Sequence, residues 1–168
     1  MSLNDVTVHL VDSFDSAAAL MRWLGERREL DAIGVDTETT GLSPEHDRVR
    51  LIQFGDANTG WALARDEWLG LARDVVKKYQ GRFVLHNAKY DFSMLAQSCD
   101  LELPRSRVDD TRVMAHIVDP TRSTALKTLA SRFVDRRAAV LQQQLDEALG
   151  ARGGWTWETG RASCRERV

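Results

Sequence analysis

Hydrophobic and polar positions recur at two spacings along the chain, and these spacings predict strands and helices in alternation over the first hundred residues. Five short apolar or alternating runs predict strands: Thr7 to Val11, Ala32 to Glu38, Val49 to Gly55, Trp61 to Leu63 and Arg82 to His86. Apolar residues three or four apart predict helices from about Asp15 to Leu30, from about Asp66 to Gln80 and from Asn87 to about Cys99. The apolar run of Ala32 to Val35 predicts a strand buried on both faces.

The last third of the chain has a mainly helical pattern. Asp109 or Asp110 can cap a helix that ends before Pro120, because proline cannot continue it. Ser123 or Thr124 can cap a second helix. The apolar positions that we expect to point inward in this helix and in the one after it are Leu126, Leu129 and Phe133, then Leu141, Leu145, Ala148 and Leu149. The fold class predicted is α/β, a mixed sheet flanked by helices with a helical C-terminal portion.

Composition restricts the class of protein. The 168 residues are 43% hydrophobic, which suits one soluble domain. No apolar run approaches the roughly 20 residues that span a bilayer, and the N-terminus lacks the pattern of a signal peptide, so we expect a cytoplasmic protein without a membrane partner. A net charge of -2 argues against a protein that coats nucleic acid by positive charge alone. It leaves open an enzyme that meets nucleic acid through bound metal ions.

Two carboxylates end the predicted second strand. Asp36 and Glu38 are two residues apart, so an extended chain points both side chains to the same face. Carboxylates this close repel each other, and a divalent cation relieves the repulsion; oxygen ligands favour Mg²⁺ or Mn²⁺. Taken alone, however, the pair is more simply explained as a strand end that meets water.

A third acid follows the predicted fifth strand. Asn87 and Asp91 are four residues apart and share one face of the helix that begins there. We expect this face to differ from the apolar one, which would comprise Ala88, Phe92, Leu95 and Cys99. Because the helix starts where a central strand ends, Asp91 should lie at the sheet edge from which Asp36 and Glu38 emerge.

Two segments together carry a family resemblance. Val35 to Thr39 and His86 to Asp91 closely resemble the first two exonuclease motifs of the DEDD 3'-5' exonucleases, and their order and the hairpin between them match as well. Asp110-Thr111 and the segment from Ala125 to Ala130 resemble a later part of the proofreading domain of family A DNA polymerases, with especial similarity to polymerases of actinobacterial phages. The resemblance covers roughly Val6 to Ala148 and implies a ribonuclease H-like fold.

The resemblance also implies an activity, hydrolysis of a 3'-terminal phosphodiester with two divalent metal ions, Mg²⁺ or Mn²⁺. Its catalytic and metal-binding positions correspond to Asp36, Glu38 and Asp91. Its substrate-binding positions correspond to Thr37, Thr39, Leu42, Asn87 and Tyr90. The implied substrate is the single-stranded 3' end of DNA, with RNA also possible, and the implied partner is a polymerase domain in the same full-length chain, in the host cytoplasm if a phage encodes it. Asp110 is expected to cap its helix behind the site without binding metal.

The sequence departs from the family pattern near its end. The family needs a fourth carboxylate from a late Tyr-x-x-x-Asp or His-x-x-x-x-Asp motif, and neither occurs in this chain after Asp91. Residues 160–168 resemble one reading frame of a sequencing-library adaptor. We therefore expect an incomplete exonuclease domain over residues 1–159, a non-native tail over 160–168 and weak or absent activity.

Two further functions stay open on the sequence alone. The same motifs occur in exoribonucleases of the ribonuclease D type, which act on RNA 3' ends. A module that binds nucleic acid without catalysis would also keep the fold. The three clustered acids weigh against that second alternative, because a module without metal has little use for them.

Overall fold

A computed structural model describes residues 6–136 of the chain. Residues 6–122 form one compact unit, and residues 123–136 belong to a second. The strands of the first unit are β1 (Thr7–Val11), β2 (Ala32–Thr39), β3 (Val49–Gly55), β4 (Thr59–Ala64), β5 (Arg82–Leu85) and β6 (Val108–Asp110). Its helices are α1 (Phe14–Gly25), α2 (Arg65–Lys78), α3 (Ala88–Cys99) and α4 (Thr111–Val118). Helix α5 (Leu126–Phe133) lies in the second unit.

The strands of residues 6–136 form one mixed sheet in the order β1-β4-β3-β2-β5-β6. Strand β3 runs antiparallel to both of its neighbours, β2 and β4, whereas the pairs β1–β4, β2–β5 and β5–β6 are parallel. The predicted α/β class and the β3–β4 hairpin are confirmed. The sequence pattern did not indicate β6, whose three residues include two acids.

Strand β2 is buried on one face and not on both. Ile33, Val35 and Thr37 are buried, whereas the alternating residues Ala32, Gly34 and Asp36 are exposed. The prediction of burial on both faces is therefore wrong. Within residues 6–122, helices α1, α2 and α3 pack on one side of the sheet and form the core with it. The other side carries small residues at its centre, since Gly34 of β2 pairs with Gly55 of β3, which in turn pairs with Gly60 of β4.

Side-chain caps mark the beginnings of helices α1 and α4. Ser13 caps α1 through a reciprocal pair of hydrogen bonds with Ser16, as the polar residues after β1 indicate. Asp110 caps α4, as predicted. For α5 the cap position is Ala125, so the expectation of a Ser123 or Thr124 cap is wrong.

The expected inward side of α5 is also not observed. Of the three residues expected to point inward, Leu126 and Phe133 are exposed and Leu129 is half-buried. The helix predicted over Leu141 to Leu149 lies outside the described residues. None of the helices within residues 6–136 has the length and apolar character needed to cross a membrane.

Candidate active site

The three predicted acids lie at one edge of the sheet. Asp36 and Glu38 occupy alternate positions near the end of β2, so they share a face. Asp91 lies in the first turn of α3, which follows β5, and β5 runs parallel to β2 beside it. Because parallel neighbouring strands end at the same edge, the fold brings Asp91 close enough for its charge to interact with that of Asp36. The juxtaposition expected from the sequence is therefore observed.

Asp91 nevertheless sits on a different face of its helix from the one expected. It is only 3% exposed and belongs to the buried stripe of α3. The other members of that stripe are Ala88, Met94, Leu95 and Cys99. Residues three and seven apart in a helix share a face, so Asp91 falls in line with Ala88 and Leu95. The prediction that Asp91 and the apolar residues occupy separate faces is wrong.

The buried Asp91 carboxylate has a side-chain partner. Thr37 of β2 donates a hydrogen bond from its Oγ1 to Asp91 Oδ1 at 2.7 Å. The Thr37 side chain points to the helix-covered face of the sheet, opposite to Asp36 and Glu38. In the structure the Thr37 hydroxyl is bonded to Asp91. A substrate contact by Thr37 stays a prediction.

Protein surroundings raise the pKa of all three acids. Burial raises the pKa of Asp91 from its ordinary value of 3.8 to about 6, and the negative charge of Asp36 adds to the rise, while the Thr37 hydrogen bond opposes it. Desolvation of the carboxyl group also raises the pKa of Asp36, although the residue as a whole remains exposed. For Glu38, desolvation and then the charge of Asp36 raise the pKa. The edge is thus a place where negative charges crowd and a cation would be favoured.

The donors suit a divalent metal in kind, since all three acids offer oxygen atoms, which Mg²⁺ and Mn²⁺ prefer. Among residues 6–136, however, no three His, Cys, Asp or Glu side chains stand ready to enclose an ion. Asp91 is hydrogen-bonded to Thr37, whose side chain lies on the opposite face of β2 from Asp36 and Glu38. The donor set is suitable, and its third member is oriented by a residue outside the set.

Asp110 joins the beginnings of two helices behind the site. Its carboxylate accepts hydrogen bonds from the backbone N–H groups of Asn87 (3.0 Å) and Ala88 (2.9 Å) at the start of α3. It also accepts from Arg112 (2.9 Å) and Val113 (3.4 Å) in α4. Burial acts to raise the pKa of Asp110, but these four amides outweigh it and hold the pKa below its ordinary value. The predicted capping role is confirmed for α4 and extends to α3.

We expect Asp110→Ala to lower the free energy of unfolding by about 2 kcal/mol, because two helix ends lose a cap worth about 1 kcal/mol each. Urea unfolding measures the change. Asp109→Ala is the matched control, since Asp109 forms a surface ion pair with Arg82 at 2.5 Å that should contribute little to stability. Equal losses in the two variants would contradict the double-cap interpretation.

Asn87 connects these helix starts to the sheet edge. It adopts a left-handed backbone conformation (φ 68°, ψ 47°), which asparagine tolerates better than most residues. Its side-chain Oδ1 accepts a hydrogen bond from Arg112 Nη1 at 3.0 Å. The Nδ1 atom of the preceding His86 is 2.9 Å from Thr111 Oγ1. The electrostatic interaction of Asp36 with His86 acts to lower the pKa of Asp36. A substrate contact by Asn87 stays a prediction.

Thr39 and Tyr90 meet on the loop that follows β2. Their hydroxyl oxygens are 2.7 Å apart, and each lies within hydrogen-bond distance of the Gly41 carbonyl oxygen, at 2.8 Å for Thr39 and 3.0 Å for Tyr90. The next residue, Leu42, is 84% exposed. Thr39 and Tyr90 therefore hold the loop that carries the exposed Leu42, and substrate contacts by these three residues stay predictions.

Asp47 fastens the same loop from its other side. Its carboxylate accepts hydrogen bonds from Thr40 Oγ1 at 3.0 Å and from the backbone N–H of Ser43 at 2.9 Å. A Cβ atom on Gly41 would lie 2.4 Å from this carboxylate, so a larger residue there would displace the Asp47 side chain from Thr40 and Ser43. Sequence reasoning did not single out Asp47, although an acid in a turn rich in threonine and serine is a signal for such hydrogen bonds.

Comparison with known proteins finds a family model and several relatives. The model described as 3'-5' exonuclease matches residues 11–152. The DNA polymerase of Mycobacterium phage L5 is 30% identical over 159 residues, which are 87% of this chain and 26% of that polymerase. The chain thus spans about a quarter of the length of that relative.

Solved structures match the fold at low sequence identity. NrnC of Brucella melitensis, in a structure with bound Mg²⁺, is 16% identical with a TM-score of 0.55 over 89% of this chain and 85% of that chain. RNase D of Escherichia coli, an exoribonuclease involved in structured RNA processing, is 18% identical with a TM-score of 0.60 over 77% of this chain and 34% of that chain. These similarities confirm the ribonuclease H-like fold predicted from the sequence.

Proposed function

Because this chain belongs to the 3'-5' exonuclease family, a family of hydrolases, we propose that it removes nucleotides from the 3' end of single-stranded DNA. The observation that carries the proposal is that Asp36, Glu38 and Asp91 lie at one edge of the sheet, where the charge of Asp36 adds to the raised pKa of both Glu38 and Asp91. The similarity to a phage DNA polymerase supports DNA as the substrate.

The proposed roles follow from where the residues lie. Asp36, Glu38 and Asp91 would hold two divalent ions, Mg²⁺ or Mn²⁺, and the Mg²⁺ in the related fold of NrnC supports this choice. When bound, such ions supply Lewis-acid chemistry that lowers the pKa of water and stabilises charge on a phosphate. Leu42, on a loop fastened by Thr39 and Tyr90, would contact the terminal base. Asn87, at the start of α3, would contact the substrate beside Asp91.

The proposed setting is a larger polymerase. The chain matches only about a quarter of the L5 polymerase, so we propose that a polymerase domain belongs to the same full-length protein and that the exonuclease domain proofreads for it. We also propose that the domain spans residues 1–159, that residues 160–168 are foreign to it and that its rate is low without the family's fourth carboxylate.

A strand-degradation assay tests the proposal. The 168-residue chain is added in excess to a single-stranded DNA labelled at its 5' end, with Mn²⁺, with Mg²⁺ or with a chelator. We expect a slow ladder that shortens from the 3' end and disappears in chelator. A DNA with a blocked 3' end is the control. Internal cuts, or equal rates in chelator, would contradict the proposal.

Two alternatives are distinguished by the same assay. The likeness to RNase D favours a test on RNA of the same sequence, and faster shortening of RNA than of DNA would transfer the proposal to an exoribonuclease. A module that binds without catalysis predicts retention of the oligonucleotide with no shortening under any metal condition. Heat released on Mn²⁺ titration would count against that module if it depends on Asp36.

A further inference from the structure

The hydrogen bond between Thr37 and Asp91 stands apart from the other polar contacts of the described residues. Thr37 is 8% exposed and Asp91 is 3% exposed, and they are the buried polar or charged residues of the part of the chain that the structure describes. They are 54 residues apart in sequence, and each is the other's partner. A buried charged group needs such a partner, because leaving it unpaired is unfavourable.

Thr37 occupies a position from which no neighbour in β2 could replace it. Alternation along the strand sends the side chains of Asp36 and Glu38 to one face and that of Thr37 to the other. Only the middle residue of the Asp-x-Glu segment therefore reaches the first turn of α3 through the core side of the sheet. One strand segment thus supplies two of the proposed metal-binding acids and the hydroxyl that holds the third.

The hydrogen bond fixes the orientation of the Asp91 carboxylate. With Oδ1 held at 2.7 Å by Thr37, rotation of the carboxylate about its Cβ–Cγ bond is restricted, and Oδ2 is the oxygen that Thr37 does not hold. Metal ligands are commonly oriented in this way by an outer partner that does not touch the ion.

We propose that Thr37 is a positioning residue that orients Asp91 for metal binding in concert with Asp36. The inference rests on the proposed function, because it needs a divalent ion at this edge. It adds to that function a role for the middle residue of Asp36-Thr37-Glu38, which acts on the metal site through Asp91.

Mn²⁺ binding by the full 168-residue chain tests the role directly, measured by calorimetric titration and by the loss of the free-Mn²⁺ electron paramagnetic resonance signal. Outer partners of metal ligands typically contribute about 10-fold to 100-fold in affinity. We expect Thr37→Val to weaken Mn²⁺ binding by about 10-fold or more. Thr37→Ser, which keeps the hydroxyl, should stay within about 3-fold of the wild type, because it retains the donor.

Two comparisons isolate the hydroxyl from other effects of the substitution. Thr37→Ala and Thr37→Ser differ only by that hydroxyl, so the Mn²⁺ affinity of the alanine variant should be lower than that of the serine variant by the same factor as valine is lower than threonine. This pair replaces the first comparison if Thr37→Val does not fold. Thr40→Val removes a hydroxyl that bonds to Asp47 instead and should leave Mn²⁺ affinity unchanged.

A double-mutant cycle with Asp91→Asn supplies the decisive outcome. If Thr37 acts through Asp91, Thr37→Val should cause no further loss of Mn²⁺ affinity in the Asp91→Asn background. Wild-type affinity in Thr37→Val, or an equal loss in both backgrounds, would overturn the inference and leave the proposed function standing. Absence of Mn²⁺ binding dependent on Asp36 in the wild type would overturn both.

Discussion

Asp36→Asn should abolish metal-dependent hydrolysis and Mn²⁺ binding together, with a fall in the rate of 3'-end shortening of more than about 100-fold. Loss of an outer-shell partner of a metal ligand costs up to about 100-fold, and Asp36 is proposed to contact the ions directly. It is also the acid whose charge acts on both of the others, since it raises the pKa of Glu38 and that of Asp91. Its removal should therefore disrupt the whole donor set.

The measurement compares single-turnover rates of the wild type and Asp36→Asn with enzyme in excess, because the wild-type rate itself is expected to be low. Asp74→Asn is the matched control, since Asp74 is an exposed acid of α2 that pairs with Lys78 at 3.6 Å. Thermal unfolding confirms that each variant folds. A residual rate in Asp36→Asn above a tenth of the wild-type rate would contradict the assignment of Asp36 as a metal-binding residue.

The acidic motif segments could be predicted from sequence because their chemistry is local. Asp36 and Glu38 share a face through strand alternation alone, and Asp91 follows a strand by the few residues that a helix start requires. Parallel pairing of β2 with β5 then brings the acids to one edge. The catalytic and metal-binding roles predicted for these acids came from the family resemblance, and the match over residues 11–152 confirms that family.

The partner of Asp91 could not be predicted, because it depends on a register that the sequence does not show. Asp91 fits both the polar face of Asn87 and the apolar stripe of Ala88 and Leu95, and the sequence pattern favoured the polar face. Packing of α3 against the sheet decides the matter by burying the stripe. The buried carboxylate then needs a donor, and Thr37 is the residue that the strand places there.

The burial of β2 was mispredicted for a related reason. A run such as Ala32 to Val35 is compatible with two covered faces, but Ala32 and Gly34 are small enough to be exposed without much apolar surface. A strand as short as β6 (Val108–Asp110) has too few residues for a sequence pattern, and its parallel pairing with β5 defines it. Its acids form polar contacts instead: Asp109 pairs with Arg82, and Asp110 accepts hydrogen bonds at the starts of α3 and α4.

Asp91→Asn should stabilise the metal-free protein at pH 7 while it removes activity. The pKa of Asp91 rises from its ordinary value of 3.8 to about 6 on folding. The folded state therefore holds the proton more tightly than the unfolded state does. Below about pH 4 the carboxyl group is protonated in both states, and its favourable contribution is fully present. As the pH rises through the folded-state value of about 6, that contribution is lost, and ionised Asp91 destabilises the fold.

The size of the effect follows from the same shift. Each pKa unit corresponds to about 1.4 kcal/mol, so the penalty at pH 7 is at most about 3 kcal/mol. Asparagine carries no charge and can still accept the Thr37 hydrogen bond. We expect Asp91→Asn to raise the free energy of unfolding at pH 7 by about 1 to 3 kcal/mol, and to flatten its pH dependence between about pH 4 and 6.

Urea unfolding in chelator at pH 4.5 and pH 7 measures both quantities. Asp100→Asn is the matched control, because Asp100 lies exposed at the end of α3 in a left-handed conformation that asparagine also adopts. Its substitution should change stability equally at the two pH values. If Asp91→Asn instead lowers stability at pH 7, ionised Asp91 must be stabilised by Thr37 more than burial disfavours it. A gain in stability coupled to loss of Mn²⁺ binding would identify Asp91 as an acid kept for its chemistry at the expense of the fold.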